Sequence, residues 1–559
     1  MKHLLILAAC AVSIVSASAG GKPNIVLLMA DDMGFSDIGC YGGELNTPVL
    51  DALAAEGVRF SSFFNNAKCA PTRASLMTGR VLQPIADPPE KDLPTLRTDN
   101  NVTLAEMLKE GGYSTYHVGK WHLGRQNGKV PTDRGFDLSF ETAKDARWNG
   151  YKTGVFCGKE INKAKPAEFS NPDYQANYYG PIAHADCAKS FLSYHRETRS
   201  KQPFFLYLGF SVPHDPQCAP VTPEYVAEKS AIYSKGWHRL REERFERQKA
   251  MGLFPGQTSL PPICDLFELP DWSKGEVKEP AYSYSLRMQA IYCKMVEEMD
   301  RGIGKVVDYL KAEGLYDDTI FVFLADNGAA YARVGMGNDI FGGEPKIGKA
   351  LDIMGTRKDS NNKLKPTLYR RGIGWPSLSN TPFRLYKSYV HNGGIATPLV
   401  FSWKNGLPSA GAGKWITQRG HVIDIAPTLL AAAGVEYVNK DYAKSGELPA
   451  SLDGINLMPQ ITGTEKNYDR RIFLEHQTGK MLIDGKWKFV TRRKASQDGS
   501  APADTEELYN LDEDPFELNN LACFPEASPR IRKMINDWNA WSSEWRDVLP
   551  AHKPKTYTP

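Results

Sequence analysis

Cys69 opens the run Cys69-Ala70-Pro71-Thr72-Arg73-Ala74-Ser75-Leu76-Met77-Thr78-Gly79-Arg80, which brings together a sulfur nucleophile, a proline suited to the first turn of a helix, and two arginines. A side chain just before a helix start, where Cys69 is expected, faces unpaired backbone N–H groups and the positive end of the helix dipole, a setting for an anionic group or an anionic substrate. Elsewhere, Asp31-Asp32 and Asp326-Asn327-Gly328 supply carboxylate and amide oxygens, while Lys120, His122, His214 and Lys387 are cationic or titratable. Asp31, Asp32, Asp326 and Asn327 form an all-oxygen, acidic ligand set, which suits calcium or magnesium rather than zinc; a flexible sphere of six or more oxygens favours calcium. Three carboxylates gathered without a cation would repel one another, so a divalent ion is expected among them, where it could also polarise an anionic ester.

Those residues act together only if the chain delivers them to one place. Asn24-Ile25-Val26-Leu27-Leu28-Met29-Ala30 is a continuous apolar run of the kind buried on both faces in a parallel sheet, and Asp31-Asp32 follows it directly. Tyr113 to Val118 reads as a strand preceding Lys120 and His122. Phe204 to Phe210 precedes Pro213-His214-Asp215-Pro216, and Thr319 to Leu324 precedes Asp326. Ligands in open α/β sheets bind beyond the carboxyl ends of the strands, so four strands deliver charge to one rim. Taken singly, each piece has a plainer reading: Asp-Asp and Asp-Asn-Gly as solvated turns, a lone histidine as a satisfied structural residue, a lone lysine as a solvated one. His117, His391 and His421 keep that structural reading, and Arg80 and Arg384 are assigned to structure or substrate fit.

Helical patterns cover Thr47–Glu56, Ala183–His195, Tyr282–Glu313 and Asp424–Ala433, and Thr103-Leu104-Ala105-Glu106 is a capping box whose helix stops at Gly111-Gly112. Strands alternating with helices predict an α/β, doubly wound, mainly parallel mixed sheet flanked by helices. The segment from Pro216 to Pro280, rich in charge and aromatics, reads as an insertion over one rim. Beyond Thr462 come short strands (Arg471–Glu475, Met481–Ile483, Trp487–Val490, Glu507–Tyr509) and a helix from about Pro529 to Trp545, predicting a smaller antiparallel C-terminal subdomain. The expected division is a leader over 1–19, a main domain over 20–461 and the subdomain over 462–559.

The 559 residues are 42% hydrophobic and 24% charged, an ordinary globular composition, and a net charge of +3 gives no reason to expect nucleic acid as a partner. Met1-Lys2-His3, the apolar Leu4–Val15 and Ala17-Ser18-Ala19 read as a secretory signal peptide cleaved near Ala19, which predicts an exported, periplasmic or secreted protein. Leu7-Ala8-Ala9-Cys10 resembles a lipidation site, but its apolar stretch is short. No later segment is long enough to span a bilayer, so no stable membrane insertion is expected. Removing Cys10 and Cys69 from the nine cysteines leaves an odd seven, with room for one or two disulfides but no disulfide framework and no Cys-x-x-Cys zinc pattern. Asn101-Val102-Thr103 fits a glycosylation sequon, yet Thr103 is already needed as a helix cap.

The Cys69 run resembles the signature of the type I sulfatases, Cys-x-Pro-Ser/Thr-Arg followed by Thr-Gly-Arg. Asp31-Asp32, Gly119-Lys120-Trp121-His122, Pro213-His214-Asp215-Pro216, Ala325-Asp326-Asn327-Gly328 and Lys387 before Gly393-Gly394-Ile395 are similar to that family's ordered motifs. Glu507-Leu508-Tyr509-Asn510-Leu511, Asp514-Pro515 and Asn520-Leu521-Ala522 resemble its closing segment, and Asn380 to Lys387 leans toward the arylsulfatase branch. Ala325 replaces the usual serine, and Asn392 stands where glutamate often precedes Gly-Gly.

The resemblance implies an alkaline-phosphatase-like fold and hydrolysis of sulfate monoesters, of an aryl alcohol or a sulfated carbohydrate. It implies that a separate formylglycine-generating or anaerobic sulfatase-maturating enzyme oxidises Cys69 to Cα-formylglycine (3-oxoalanine), whose hydrate is the nucleophile. Asp31, Asp32, Asp326 and Asn327 would then hold one Ca2+, touched by the modified Cys69. Asp326 is a candidate proton acceptor, Arg73 and Lys120 stabilise the nucleophile, and His122 accepts the second proton. His214 protonates the leaving alcohol, and Lys387 contacts a sulfate oxygen. Two alternatives stand beside this: a phosphate or phosphonate ester hydrolase of the same superfamily, and a catalytically inactive glycan-binding relative.

Overall fold

The computed structural model describes residues 21–85, 96–97, 101–125, 128–142, 154–263, 269–279, 281–331, 356–358, 364–366, 371–437, 452–476, 479–493 and 504–546. The expected leader and two cysteines, Cys10 and Cys264, lie outside them. A nine-stranded mixed sheet is built from β1 (Asn24–Asp31), β2 (Val58–Phe60), β3 (Ser114–Gly119), β4 (Leu138–Glu141), β5 (Val155–Cys157), β6 (Phe204–Pro213), β7 (Thr319–Ala325), β8 (Leu399–Ser402) and β9 (Lys414–Ile416), in the order β9-β2-β8-β7-β1-β6-β3-β4-β5. The central four, β7-β1-β6-β3, are mutually parallel, with Leu27 facing Val322 on one side and Tyr207 on the other. Strand β8 runs antiparallel to β7 and β2, and β5 antiparallel to β4.

The apolar run of β1 feeds two cores, because successive side chains of a strand point to opposite faces. Val26, Leu28 and Ala30 pack into one cluster with Phe191, Met295, Met299 and Ile303, from the helices Gly180–Arg199 and Ala281–Ala312. Ile25, Leu27 and Met29 pack into the other with Leu76, Leu108 and Leu429, from the helices Cys69–Thr78, Leu104–Glu110 and Ile425–Ala433. Full burial of a side chain of this size contributes about 1.5–3 kcal/mol relative to exposure, which is why a strand of eight buried residues sits at the centre of the sheet.

Four further strands, β10 (Arg471–His476), β11 (Gly479–Asp484), β12 (Trp487–Arg493) and β13 (Asp504–Asn510), form the separate antiparallel sheet of the C-terminal subdomain. Its alternation is equally informative. Leu482, Phe489 and Leu508 pack on Ile531, Met534 and Trp538 of the helix Ser528–Arg546, whereas Met481, Ile483, Val490 and Tyr509 join the large core of the main sheet.

Local expectations are met with some differences. The Thr103 box forms as read: Glu106 N donates to Thr103 Oγ1 (3.1 Å) and Thr103 N to Glu106 Oε2 (2.6 Å). Asn101 is fully buried and donates to Arg97 O, so the sequon serves the interior. The helix Pro48–Glu56 is not capped by Thr47; the Asp300 carboxylate accepts from Val49 N (3.1 Å) and Leu50 N (2.8 Å) instead. Among the described residues Cys40, Cys69, Cys157, Cys187, Cys218, Cys293 and Cys523 are all free thiols, so the room left for disulfides goes unused there. No helix of the described residues is long and apolar enough to cross a membrane. The segment read as an insertion carries helices Pro223–Tyr233 and Gly236–Ala250, and its Trp237 and Trp272 pack edge-on against each other and against Trp375.

Candidate active site

The central strands end at one rim, and each ends on a residue named above. Strand β1 ends at Asp31, β7 leads into Asp326, β3 into Lys120, and β6 into His214. The crossing is tight at Gly119. With φ +102°, a Cβ there would lie 2.0 Å from Gly209 O, and this close approach lets Lys120 N donate to that carbonyl (2.7 Å). Asp32 and His122 both adopt left-handed backbone (φ +65°), uncommon for non-glycine residues, and both turn away from their strands at the rim.

Cys69 begins the fully buried helix Cys69–Thr78 rather than preceding it, with Lys68 as the flanking residue and Pro71 still inside the first turn. The loop before it is tied down by Asn66, whose N donates to Thr72 Oγ1 (3.0 Å) and whose Nδ2 donates to Ser75 Oγ (2.8 Å). One turn on, Arg73 is completely buried. Its Nε and Nη2 donate to Asp326 Oδ2 (3.0 and 2.8 Å), and its Nη1 to Lys120 O and Tyr207 Oη (2.9 Å each). Tyr207 is a site residue that sequence reasoning missed. It sits inside an unbroken apolar run, and only the period-two alternation with Phe205 marks its face.

Lys120 Nζ donates to both oxygens of Asp31 (2.8 and 2.7 Å), and Lys387 Nζ donates to Asp32 Oδ1. Asn327 Nδ2 donates to the same Asp32 Oδ1 (2.7 Å), and Asp32 N to Asp326 Oδ1 (3.1 Å). His214 Nε2 lies 3.3 Å from Asp32 Oδ2, while its Nδ1 lies 2.8 Å from Asp215 Oδ1 and 2.6 Å from Asp215 O. The ligand atoms of Asp31, Cys69 and Asp326 lie within 4.8 Å of one another, as do those of Asp31, Asp32 and His214. The structure thus brings Asp31, Asp32, Cys69, Arg73, Lys120, His214, Asp326, Asn327 and Lys387 into one contiguous network. His122 stands beside Lys120, two residues along the same loop.

Electrostatics assigns states to these groups. Burial works against Asp31 ionising, but Lys120, His214 and Arg73 outweigh it and hold the carboxyl well below its usual range. Asp326 is pushed up to about 7 by burial and by Asp31, against the pull of Arg73 and Lys120. The Cys69 thiol is raised by burial yet lowered on balance by Lys120 and Lys387. His122 is held down to about 2 by burial and then by Lys120 and Arg73, so it is neutral. His214 is opposed by burial but raised on balance by Asp32 and Asp31.

The residues read as structural lie elsewhere. His117 Nδ1 pairs with Ser139 Oγ (2.9 Å), His421 caps a short 3-10 turn, and Arg80 faces Asp453 (3.6 Å). Arg384 and His391 both meet Glu507, at 2.9 and 2.7 Å, joining the main domain to β13.

A central parallel sheet that presents buried carboxylates and fixed cations beside a helix-borne cysteine suits esters of a tetrahedral oxyanion, and its architecture is of the alkaline-phosphatase-like class. Within that class the chain belongs to the sulfatase family, whose profile, described as Sulfatase, matches residues 23–435. It is 32% identical over 458 residues to an arylsulfatase of Klebsiella aerogenes, covering 78% of this chain and 91% of that one. Among solved structures, Ps i-CgsB in complex with k-i-k-neocarrahexaose superposes with a TM-score of 0.59 at 23% identity, covering 93% of each chain. The phosphonate monoester hydrolase of Agrobacterium radiobacter superposes at 0.54 and 19% identity, over 94% of this chain and 96% of that one. These two likenesses establish a shared fold. The protein is a sulfatase of the type I family, an enzyme that hydrolyses sulfate esters.

Proposed function

We propose that the chain hydrolyses sulfate monoesters of aryl alcohols or sulfated carbohydrates, with Cys69 matured to Cα-formylglycine and one Ca2+ held by Asp31, Asp32, Asp326 and Asn327. The observation that carries this reading is the meeting of the Asp31, Cys69 and Asp326 ligand atoms beside Arg73, Lys120 and Lys387. The donor set fits a hard cation: it is all oxygen, fully buried or nearly so, and it includes Asp32 Oδ2 and Asn327 Oδ1, which have no hydrogen-bond partner. When present, formylglycine supplies a hydrated aldehyde that can attack sulfur and later release sulfate by re-forming its carbonyl, and calcium polarises the sulfuryl group.

The side chains of this protein do the rest. Arg73, fixed by four hydrogen bonds, and Lys120 present positive charge to the nucleophile's position at residue 69. Lys387 presents its ammonium to a sulfate oxygen. Asp326 would accept the first proton from the nucleophile, and His122, kept neutral by burial and then by Lys120 and Arg73, would accept the second. His214, with Nδ1 engaged by Asp215, offers its Nε2 proton to the departing alcohol.

The same reading assigns residues 1–19 to an export signal, 20–461 to the catalytic domain with an insertion at about 216–280, and 462–559 to the C-terminal subdomain. It also assigns Cys69 as the substrate of a formylglycine-generating or anaerobic maturating enzyme. Peptide mass spectrometry across Cys69, paired with turnover of 4-nitrophenyl sulfate and 4-nitrophenyl phosphate, tests it. The expected result is an aldehyde in place of the thiol and preference for the sulfate. An active enzyme with an intact thiol, or preference for phosphate by orders of magnitude, overturns it.

A further inference from the structure

The segment from Arg384 to Gly394 carries Lys387 to Asp32 in a conformation that its own sequence does not favour. Leu385 (φ +66°) and Ser388 (φ +75°), one on each side of Lys387, are both non-glycine residues in the left-handed region. Such conformations persist only where the surroundings over-determine them. Backbone bonds supply part of that restraint: Lys387 N donates to Ala329 O (3.2 Å), Ser388 N to Ala67 O (2.8 Å) and Gly393 N to Arg384 O (3.0 Å). The loop therefore touches the chain just after Asn327 and just before Cys69.

Side chains of the main domain add to it, with Asn380 Nδ2 donating to Leu385 O (2.9 Å) and Ser377 Oγ lying 2.6 Å from Tyr386 Oη, and the C-terminal subdomain adds a tie in which two side chains of the loop meet one atom. Glu507 Oε2, on β13, accepts from Arg384 Nη2 (2.9 Å) before Lys387 and lies 2.7 Å from His391 Nε2 after it. Tyr509 Oη donates to the same oxygen (2.7 Å) and accepts from Arg384 Nη2 (2.8 Å), so the acceptor is itself held in place. Next along the loop, Asn392 Oδ1 accepts from Lys488 Nζ (2.7 Å), whose charge is met by the fully buried Glu517 (2.6 Å), and Asn392 N donates to Glu517 Oε2 (3.0 Å). Asn392, one of the two positions where the chain departs from the family pattern, is thus part of the same fastening.

We propose that Glu507 is a positioning residue for the reaction: by tying Arg384 and His391 to one buried carboxylate oxygen, the C-terminal subdomain sets the place of Lys387 in the active site. The inference rests on the role given to Lys387 above, and two readouts keep the two claims apart. The first is a double-mutant cycle on 4-nitrophenyl sulfate with Glu507→Ala, Lys387→Ala and the pair, plus Glu507→Gln in case the alanine variant folds poorly. Glu507→Ala is expected to lower kcat about 10-fold, Glu507→Gln less because its amide oxygen still accepts, and Glu507→Ala to add less than about 2-fold in the Lys387→Ala background. Full multiplication of the two losses would mean that Glu507 acts independently of Lys387, and would overturn the proposal. The second readout is amide hydrogen exchange of the 384–394 peptide, expected to rise in the Glu507 variants relative to the rest of the main domain. Unchanged exchange there overturns the proposal whatever the kinetics. If Lys387→Ala retains full activity while exchange rises, the mechanistic role of Lys387 fails and the fastening of the loop stands.

Discussion

Replacing His214 by alanine should impair the enzyme in proportion to how badly the leaving group needs a proton. His214 sits at the end of β6 with Nε2 3.3 Å from Asp32 Oδ2, and its Nδ1 is engaged by the Asp215 carboxylate and carbonyl. The imidazole therefore has one nitrogen fixed and the other turned toward the reacting site. A positioned general acid contributes about 10²–10⁴-fold, so phenyl sulfates with basic leaving groups should lose about that much kcat in the variant. 4-Nitrophenolate departs as a stabilised anion, and its sulfate should lose no more than about 10-fold. Losing the side chain leaves Asp32 with the Lys387 ammonium and the Asn327 amide, so the carboxylate keeps partners and little of the effect should come from destabilisation. The assay is kcat across substituted phenyl sulfates of graded leaving-group basicity. The unfolding midpoint and the aldehyde content at residue 69 are measured on the same preparations. The dependence of rate on leaving-group basicity should become steeper in His214→Ala. An equal loss across the series would refute the assignment of His214 as the acid and leave it an electrostatic partner of Asp32.

Chelation with EDTA should abolish turnover and lower the unfolding midpoint, and excess Ca2+ should restore both; at 100-fold excess over its dissociation constant the ion contributes about 2.7 kcal/mol, which differential scanning fluorimetry detects. Asp300→Asn should flatten the pH dependence of stability. Burial pushes the Asp300 carboxyl up to about 7 despite its bonds to Leu50 N and Val49 N. The folded chain therefore holds this proton at a pH where the unfolded chain, with a carboxyl pKa of about 4, has released it, and stability falls as pH rises through that window and levels off above it. Thermal unfolding of both proteins across that range checks the sign; an unchanged slope would assign it to other groups. Thr103→Ala removes one half of a capping box and a bond to Arg134 O, and should cost about 1–2 kcal/mol in a denaturant titration.

Long apolar strands were legible because both their faces are buried. β1, β6 and β7 read as hydrophobic runs, and the residue after each observed strand (Asp32, His214 and Asp326) is a site residue. The short strands β2, β4, β5, β8 and β9 were not read. Three or four residues carry too little periodicity to separate from a loop, and their pairing is decided by neighbours distant in the chain. The helices read from the sequence lie within a few residues of their observed bounds, whereas Pro223–Tyr233 and Gly236–Ala250 of the insertion were not read as helices, and the cap of Pro48–Glu56 is a carboxylate 250 residues from Leu50, a contact no local pattern announces. The same limit applies at the site. The residue types and strand-end placement of Asp31, Asp326, Lys120 and His214 could be read from motifs, whereas the buried hydroxyl of Tyr207 on Arg73 could not. Glu507 was legible only as part of a closing segment, with no sign that Arg384 and His391 would converge on it.

The pairing of charges changes what the acidic cluster means. Without cationic partners, three gathered carboxylates would require a metal simply to coexist. In the folded chain Asp31 is answered by Lys120, Asp32 by Lys387 and Asp326 by Arg73, each in direct contact, so repulsion alone no longer calls for an ion. What still points to a hard cation is narrower: the convergence of side-chain atoms from Asp31, Cys69 and Asp326, and the buried Asp32 Oδ2 and Asn327 Oδ1, which accept no hydrogen bond. With each carboxylate already paired to a cation, the site also has a use for added charge. One divalent ion would add two positive charges, which would favour a sulfate monoester of charge minus one and the negative charge that develops as the nucleophile loses its proton. The lysines then have two duties: as partners they make the carboxylates affordable in a buried rim, and as neighbours of residue 69 they favour the ionised form of the nucleophile that stands there, as they already do for the thiol against the opposing effect of burial.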